Sequence, residues 1–186
     1  MASAFTHAVT GAAISTLAPR PYRGVALAAA LGVAAALPDL DVIGLRLGIP
    51  YAHPLGHRGF SHSLLCALLV ALPIAVVFSR RAARWGRAES GLLAVVFLAC
   101  ALHGVLDAFT DAGLGVGFFI PFDNQRYFFP WRPVRASPLS VGEFFSRTGV
   151  AIIANEMVWI WIPVALLTAT VVAGRWARRT ARGALT

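Results

Sequence analysis

Five apolar runs, at 4–18, 22–37, 60–78, 90–109 and 149–173, set the terms on which this chain can fold. Together they leave 58% of the sequence hydrophobic and 13% charged, where a soluble domain carries about 25% charged residues. A water-soluble core of this size cannot absorb so much apolar surface, but a bilayer can. Spanning takes roughly 20 residues; the third, fourth and fifth runs meet that length and the first two are short. Those two are rich in alanine and glycine, including Gly11, Gly24 and Gly32, and small residues let membrane helices approach closely. Both therefore belong inside a bundle, unless the first is a re-entrant or interfacial helix. The expected fold is all-α: a polytopic membrane bundle of about five transmembrane or re-entrant helices, forming one integral membrane domain over residues 1–186.

Charge placement supports a membrane fold. The formal net charge is +8 and all sixteen basic residues are arginine, mostly between or beyond the apolar runs. That pattern fits topology determination and lipid-headgroup contact, and no soluble basic groove is present to receive nucleic acid. With five spans, Arg20, Arg23, Arg80, Arg81, Arg84, Arg87, Arg175, Arg178, Arg179 and Arg182 fall on one side, and Arg46, Arg58, Arg126, Arg132, Arg135 and Arg147 on the other. The richer side is expected to be cytoplasmic. The N-terminus then lies outside, the C-terminus inside, and the chain is integral to the inner (plasma) membrane. No basic stretch precedes the first apolar run, so no removable signal peptide is expected. Cys66 and Cys100 lie within apolar runs, without metal-ligand spacing, and read as small buried hydrophobes.

The connection 111–148 carries Phe118, Phe119, Phe122, Tyr127, Phe128, Phe129 and Trp131, with prolines at 121, 130, 133 and 138. Aromatic rings at this density favour the headgroup interface, and the segment reads as a lid on the outer leaflet.

The polar residues then gather. His7 falls near the outer end of the first run, Asp39 and Asp41 just past the outer end of the second, where Pro38 is expected to end the helix. His57 and His62 stand at the outer start of the third. His103 and Asp107 occupy the last turns of the fourth, and Glu156 lies about two turns into the fifth. A single histidine in a helix is more often a hydrogen-bonded core residue than a ligand. Five runs delivering imidazoles and carboxylates to one face are harder to explain by chance, and ionisable groups inside apolar segments are costly unless they function. His103 and Asp107, four residues apart, share a helical face. Imidazoles and carboxylates without thiolates suit zinc, manganese or iron. The ligand count exceeds what one structural zinc takes, so two or more ions are expected, in a centre that activates water for phosphoester displacement.

Several stretches resemble the membrane-bound metal-dependent hydrolases of the LexA-regulated inner-membrane type, the YdjM-like proteins. They are His7; Leu37-Pro38-Asp39-Leu40-Asp41; His57-Arg58-Gly59-Phe60-Ser61-His62-Ser63; His103 and Asp107 with Thr110 and Gly113; and Arg126-Tyr127-Phe128-Phe129-Pro130-Trp131. The resemblance covers most of the chain and is loosest in the fifth run. That family is thought to be similar to zinc-dependent phospholipase C and the S1/P1-type nucleases, helical proteins with a multi-zinc phosphoesterase site. The resemblance implies that His7, Asp39, His57, His62, His103 and Asp107 are metal ligands. Position adds Asp41 and Glu156 as catalytic candidates, with Arg58 beside them. Arg58, Arg126 and Arg132 are candidates for binding substrate phosphate through bidentate contacts, and Ser61 for capping the third helix. The expected activity is hydrolysis of a phosphoester in a lipid or lipid-linked substrate at the outer leaflet, with membrane lipids as the surroundings. Two alternatives use the same residues. A metal or proton transporter needs a polar path, for which the inner halves offer little beyond Ser15, Thr16 and Thr168. A non-enzymatic membrane protein would hold a structural metal.

Overall fold

A computed structural model describes residues 1–80 and 85–183; Arg81 and Arg84, counted above with the richer side, lie outside the described residues, as does the side chain of Arg182. The described residues form eight α-helices: α1 (Ala4–Ile14), α2 (Val25–Ala36), α3 (Val42–Arg46), α4 (Leu64–Ser79), α5 (Arg87–Ala108), α6 (Val141–Phe144), α7 (Arg147–Glu156) and α8 (Ile162–Gly183). Among the described residues the extended backbone amounts to two isolated bridges, Thr110 with Val134 and Val116 with Tyr127. The protein is all-helical.

Among the described residues, three continuous helical stretches are long and apolar enough to cross a membrane: Val25–Arg46 and Arg87–Ala108, 22 residues each, and Arg147–Ala181, 35 residues. At a rise of about 1.5 Å per residue, 22 residues span roughly 33 Å, which matches a hydrocarbon core of about 30 Å. The lengths differ from expectation in two places. The second run is not short, because Pro38 does not end its helix. The backbone tightens there into a 3-10 turn, Leu37–Asp41, and continues as α3. Proline in the first turn of a helix lacks only an N–H that has no partner there anyway. The third run is shorter than expected: its first residues, Phe60–His62, form a separate 3-10 turn, which leaves 16 residues in α4.

The cap of α4 is also displaced. Ser63 accepts from the Cys66 N–H, and Ser61, the expected cap, is turned toward Asp41 and His62. In the last helix, a π turn at Met157–Trp161 joins α7 to α8. Pro163 follows it, and its missing N–H breaks the ordinary ladder at that point.

Small residues bring the helices together. α1 lies along α2 so closely that a Cβ on Gly11 would sit 2.4 Å from the Leu31 carbonyl oxygen and 2.6 Å from the Ala35 methyl. On α4, Ala67, Ala71 and Ala75 recur every four residues and face Leu92, Val96, Ala99 and Cys100 of α5, with Leu27, Leu31 and Ala34 of α2 completing the core. The opposite face of α4 exposes Leu68, Leu69, Leu72, Val76 and Val77, and α8 exposes Leu166, Leu167 and Val172. In lipid such faces are solvated, and association depends on close packing of small residues.

The connection 111–148 is stitched down over the ends of α1, α4 and α5. Leu64 N–H donates to Phe118 O, Phe129 N–H to Ala108 O, and Ser137 N–H to Met1 O. Its rings pair with the bundle, Phe129 on Phe109 at 4.2 Å and Trp131 on Trp159 at 5.1 Å between centroids, while Phe122, Trp131 and Phe145 are largely exposed.

Candidate metal centre

Four elements deliver the cluster. α1 carries His7, the 3-10 turn after α2 carries Asp39, the turn before α4 carries His62, and the last turns of α5 carry His103 and Asp107. All five side chains are buried. His7, Asp39, His103 and Asp107 each present a ligand atom within 4.8 Å of the others. His62 points its Nε2 into the same space, 2.9 Å from His103 Nε2, 3.4 Å from Asp107 Oδ2 and 3.9 Å from Asp39 Oδ1. His7 Nε2 lies 3.3 Å from Asp107 Oδ1, and its ring stacks on that of His103 at 3.7 Å.

The hydrogen-bond chemistry tests whether a cation fits. His103 Nδ1 lies 2.7 Å from the Ala35 carbonyl oxygen, which can only accept, so Nδ1 carries the proton and Nε2 of the neutral ring is a lone pair. His62 Nδ1 faces Asp41 Oδ2 at 3.2 Å and Ser61 Oγ at 2.9 Å. Ser61 donates its own hydrogen to Asp41, so Nδ1 is again the protonated nitrogen and Nε2 a second lone pair. Two lone pairs opposed at 2.9 Å repel unless a positive charge is shared between them. Around them His7 Nε2, both Asp39 oxygens and Asp107 Oδ2 are buried without a hydrogen-bond partner. Buried carboxylate oxygens left without donors are strongly unfavourable; a divalent cation would relieve both oxygens of Asp39, while Asp107 Oδ2 already faces the Arg58 guanidinium at 3.2 Å. The carboxylates of Asp39, Asp41 and Asp107 each stand within 4.0 Å of an imidazole nitrogen of the cluster. The pocket draws positive charge. The donor set of imidazoles and carboxylates fits zinc, manganese or iron.

A second group, Asp41, His57 and His62, adjoins the first. Its carboxylate is already engaged: Asp41 Oδ1 meets His57 Nδ1 at 2.5 Å, and Oδ2 accepts from the Arg58 N–H and from Ser61 Oγ. Asp41 thus orients His57 and His62 together. A ligating histidine commonly gives its other N–H to a carboxylate or carbonyl that fixes its tautomer.

The loop before α4 is folded hard to make this possible. A Cβ on Gly59 would lie 2.1 Å from Pro54 O, and Arg58 itself adopts a left-handed conformation, φ 62°. Its side chain is fully buried. The guanidinium lies 3.2 Å from Asp107 Oδ2 through Nε and donates to Ala112 O and Thr110 Oγ1, each at 2.8 Å. The structure therefore spends Arg58 on holding Asp107. Arg126 donates to the carbonyls of His57, Tyr51 and His53, which pins the lid to the same loop. Arg132 is exposed, with its guanidinium 4.5 Å over the Phe128 ring. Glu156 belongs to neither ligand group; it accepts from Ser3 N–H, Ser3 Oγ and Thr6 Oγ1 and ties the last helix to the start of α1.

Sequence reasoning missed Ser61 as an orienting hydroxyl and Thr110 as the partner of Arg58; both stand inside motifs already singled out. The Ala35 carbonyl left no trace to find. Two clefts border residues of the centre. One of about 110 Å³ opens between Pro38, Ser61, His62 and Cys66. A larger one, about 430 Å³, runs from Asp39 between Phe5, Leu40, Leu139, Phe144 and Phe145.

Comparison with known proteins agrees with the membrane fold. The family model for the YdjM inner membrane protein matches residues 1–181. The Escherichia coli (strain K12) inner membrane protein YbcI is 38% identical over 138 residues, 73% of this chain and 76% of that one. Both descriptions state a location and no activity. No solved structure gives a significant match.

Proposed function

The chain belongs to the YdjM inner membrane protein family, and we propose that it is a metal-dependent hydrolase that cleaves a phosphoester in a lipid or lipid-linked substrate. One observation carries the reading: the orphaned ligand atoms of His7, Asp39 and Asp107 surround the opposed Nε2 atoms of His62 and His103. We assign one divalent ion to these five residues, with zinc first and manganese or iron as alternatives. A cation there lowers the pKa of water and stabilises charge on a phosphoryl oxygen. The protein's own groups prepare the place. Asp41 and the Ala35 carbonyl fix the tautomers of His62 and His103, Arg58 holds Asp107, and the lid closes over the loop through Arg126.

The lipid assignment rests on the cleft that begins at Asp39 and is otherwise lined mainly by apolar side chains. An alkyl chain laid there leaves its phosphoester beside the cluster. Arg132, one of the exposed arginines of the lid, is the group assigned to contact the substrate's charge. The orientation that places this face outside and the C-terminus in the cytoplasm is part of the proposal and follows from the arginine bias.

The test is hydrolysis by purified, metal-loaded protein of a panel of phosphatidic acid, glycerophospholipids and isoprenoid phosphates, read as released phosphate or headgroup. Chelation should abolish release and added metal restore it. Metal-loaded protein that releases nothing across the panel, yet loses thermal stability on chelation, would convert the site into a structural one. Metal-dependent cation flux in proteoliposomes without hydrolysis would make it a transport site.

A further inference from the structure

The other end of the bundle holds a second site of opposite character. The turn between α1 and α2 brings Arg20 and Arg23 against Arg175, Arg178 and Arg179 of α8, and these five side chains alone line a cavity of about 210 Å³. Three of them, Arg23, Arg175 and Arg179, also border an adjoining groove of about 540 Å³ whose other walls include Val25, Ala28, Val172 and Trp176. Among the described residues no carboxylate lies within ion-pair distance of the five arginines: of the eight Asp and Glu side chains, Glu89 is the one at this end, and it is taken by the Tyr22 hydroxyl and the Gly86 N–H. Arg23 donates to Ala18 O at 2.6 Å and Arg175 to Thr16 O, which fixes both heads in place. Burial, then the charges of Arg175, Arg179 and Arg20, lower the Arg23 pKa from its ordinary value.

Five guanidinium groups held together without a counter-ion, at the rim of an apolar groove, form an amphipathic receptacle. We propose that it binds an anionic glycerophospholipid of the leaflet on the arginine-rich side, with the phosphodiester among the arginines and an acyl chain along Val25, Ala28, Val172 and Trp176. Guanidinium matches phosphate oxygens bidentately, and basic pockets between membrane helices are suited to anionic headgroups. A protein or nucleic-acid partner could use the charge but leaves the adjoining apolar groove unexplained. The bound lipid bridges α8, which is otherwise packed only sparsely on the bundle, to the α1–α2 turn. This site is separate from the metal cluster and stands whether or not hydrolysis is found.

The experiment is native mass spectrometry of the full purified chain, titrated with phosphatidylglycerol, phosphatidylcholine or inorganic phosphate. Wild type should retain one phosphatidylglycerol saturably and at least about tenfold more tightly than phosphatidylcholine. Among the described residues, R178Q/R179Q removes no hydrogen bond to a backbone carbonyl, so it tests the site without disturbing the turn; it should weaken phosphatidylglycerol binding roughly 25-fold, about fivefold for each charge near the surface. R46Q/R135Q, at the other end of the bundle, should leave binding unchanged. Thermal unfolding confirms that each variant is folded. Equal retention of both lipids, an unaffected R178Q/R179Q variant, or equal loss in R46Q/R135Q would overturn the proposal. Inorganic phosphate displacing the lipid at comparable concentration would also overturn it, by making the cavity a site for free anions.

Discussion

His62 and His103 meet through their Nε2 atoms at 2.9 Å, while the Nδ1 of each ring is committed elsewhere, to Asp41 and Ser61 in one case and to the Ala35 carbonyl in the other. Nitrogen lone pairs bound to one zinc ion at about 2.0–2.1 Å stand at comparable separations, so this pair is set for a shared cation before one arrives. Replacing either ring by alanine should cut metal content by more than about tenfold, a larger effect than loss of an outer partner. Elemental analysis of purified wild type, His62→Ala and His103→Ala checks this. Full metal occupancy in both variants would remove the centre.

Asp41 supplies the test of how many ions are present. Its oxygens are occupied by His57, Ser61 and the Arg58 N–H, which makes it an orienting group. Asp41→Asn should therefore lower metal affinity by about 10–100-fold and keep a limiting stoichiometry of one ion. Wild type binding two ions, with Asp41→Asn binding one, would instead make Asp41 a ligand of a second centre. Competition with a chromophoric chelator measures both quantities.

Much of this arrangement was legible in the sequence, for a specific reason. A bilayer forbids scattered polar groups, so His7, Asp39, His62, His103 and Asp107, each at the same end of an apolar run, could be assigned to one face before their contacts were known. Element boundaries were less legible. Pro38 looked like a stop because proline breaks helix interiors, but it falls in the opening turn of a 3-10 segment where its missing N–H is harmless. Ser61 and Ser63 are equivalent as caps by composition; only the backbone distinguishes the one that meets Cys66 from the one that meets Asp41. The burial of Arg58 depends on a left-handed residue in a non-glycine position, which no periodicity announces.

Glu156 separates a structural from a catalytic carboxylate. It is fully buried and accepts from Ser3 and Thr6, and Trp161 Nε1 donates in turn to the Thr6 hydroxyl. Glu156→Gln disturbs three acceptor contacts and should cost about 1–3 kcal/mol of stability, with metal stoichiometry unchanged. Thermal unfolding in detergent with parallel metal analysis is the measurement. Unchanged stability with lost metal would place Glu156 in the centre itself.

Gly11 tests the packing that brings His7 to Asp39. A side chain there meets the Leu31 carbonyl at 2.4 Å, a backbone atom that cannot swing aside. Gly11→Val should destabilise the bundle by about 1–3 kcal/mol, the usual range for overpacking, and weaken metal binding because α1 must move off α2. Gly174→Ala meets nothing within 4 Å and should be neutral or stabilising by up to about 1 kcal/mol. Equal unfolding temperatures for Gly11→Val and wild type would show that the two helices are not locked together.

The apolar cleft at Asp39 makes the last prediction, which depends on the proposed hydrolysis. Phe144 lines the cleft and stacks on Phe5 at 5.9 Å between centroids, yet it touches none of the metal-centre residues through a hydrogen bond or ion pair. Phe144→Ala should remove chain-binding area while leaving the ligands in place. For long-chain phosphoesters KM should rise roughly tenfold, equivalent to about 1.4 kcal/mol of lost binding, with kcat nearly constant. Short-chain, water-soluble analogues should be hydrolysed as by wild type. Uniform binding lost in this way raises KM without changing kcat, so a fall in kcat across all chain lengths would mean that the cleft shapes the reacting end of the substrate and not its tail.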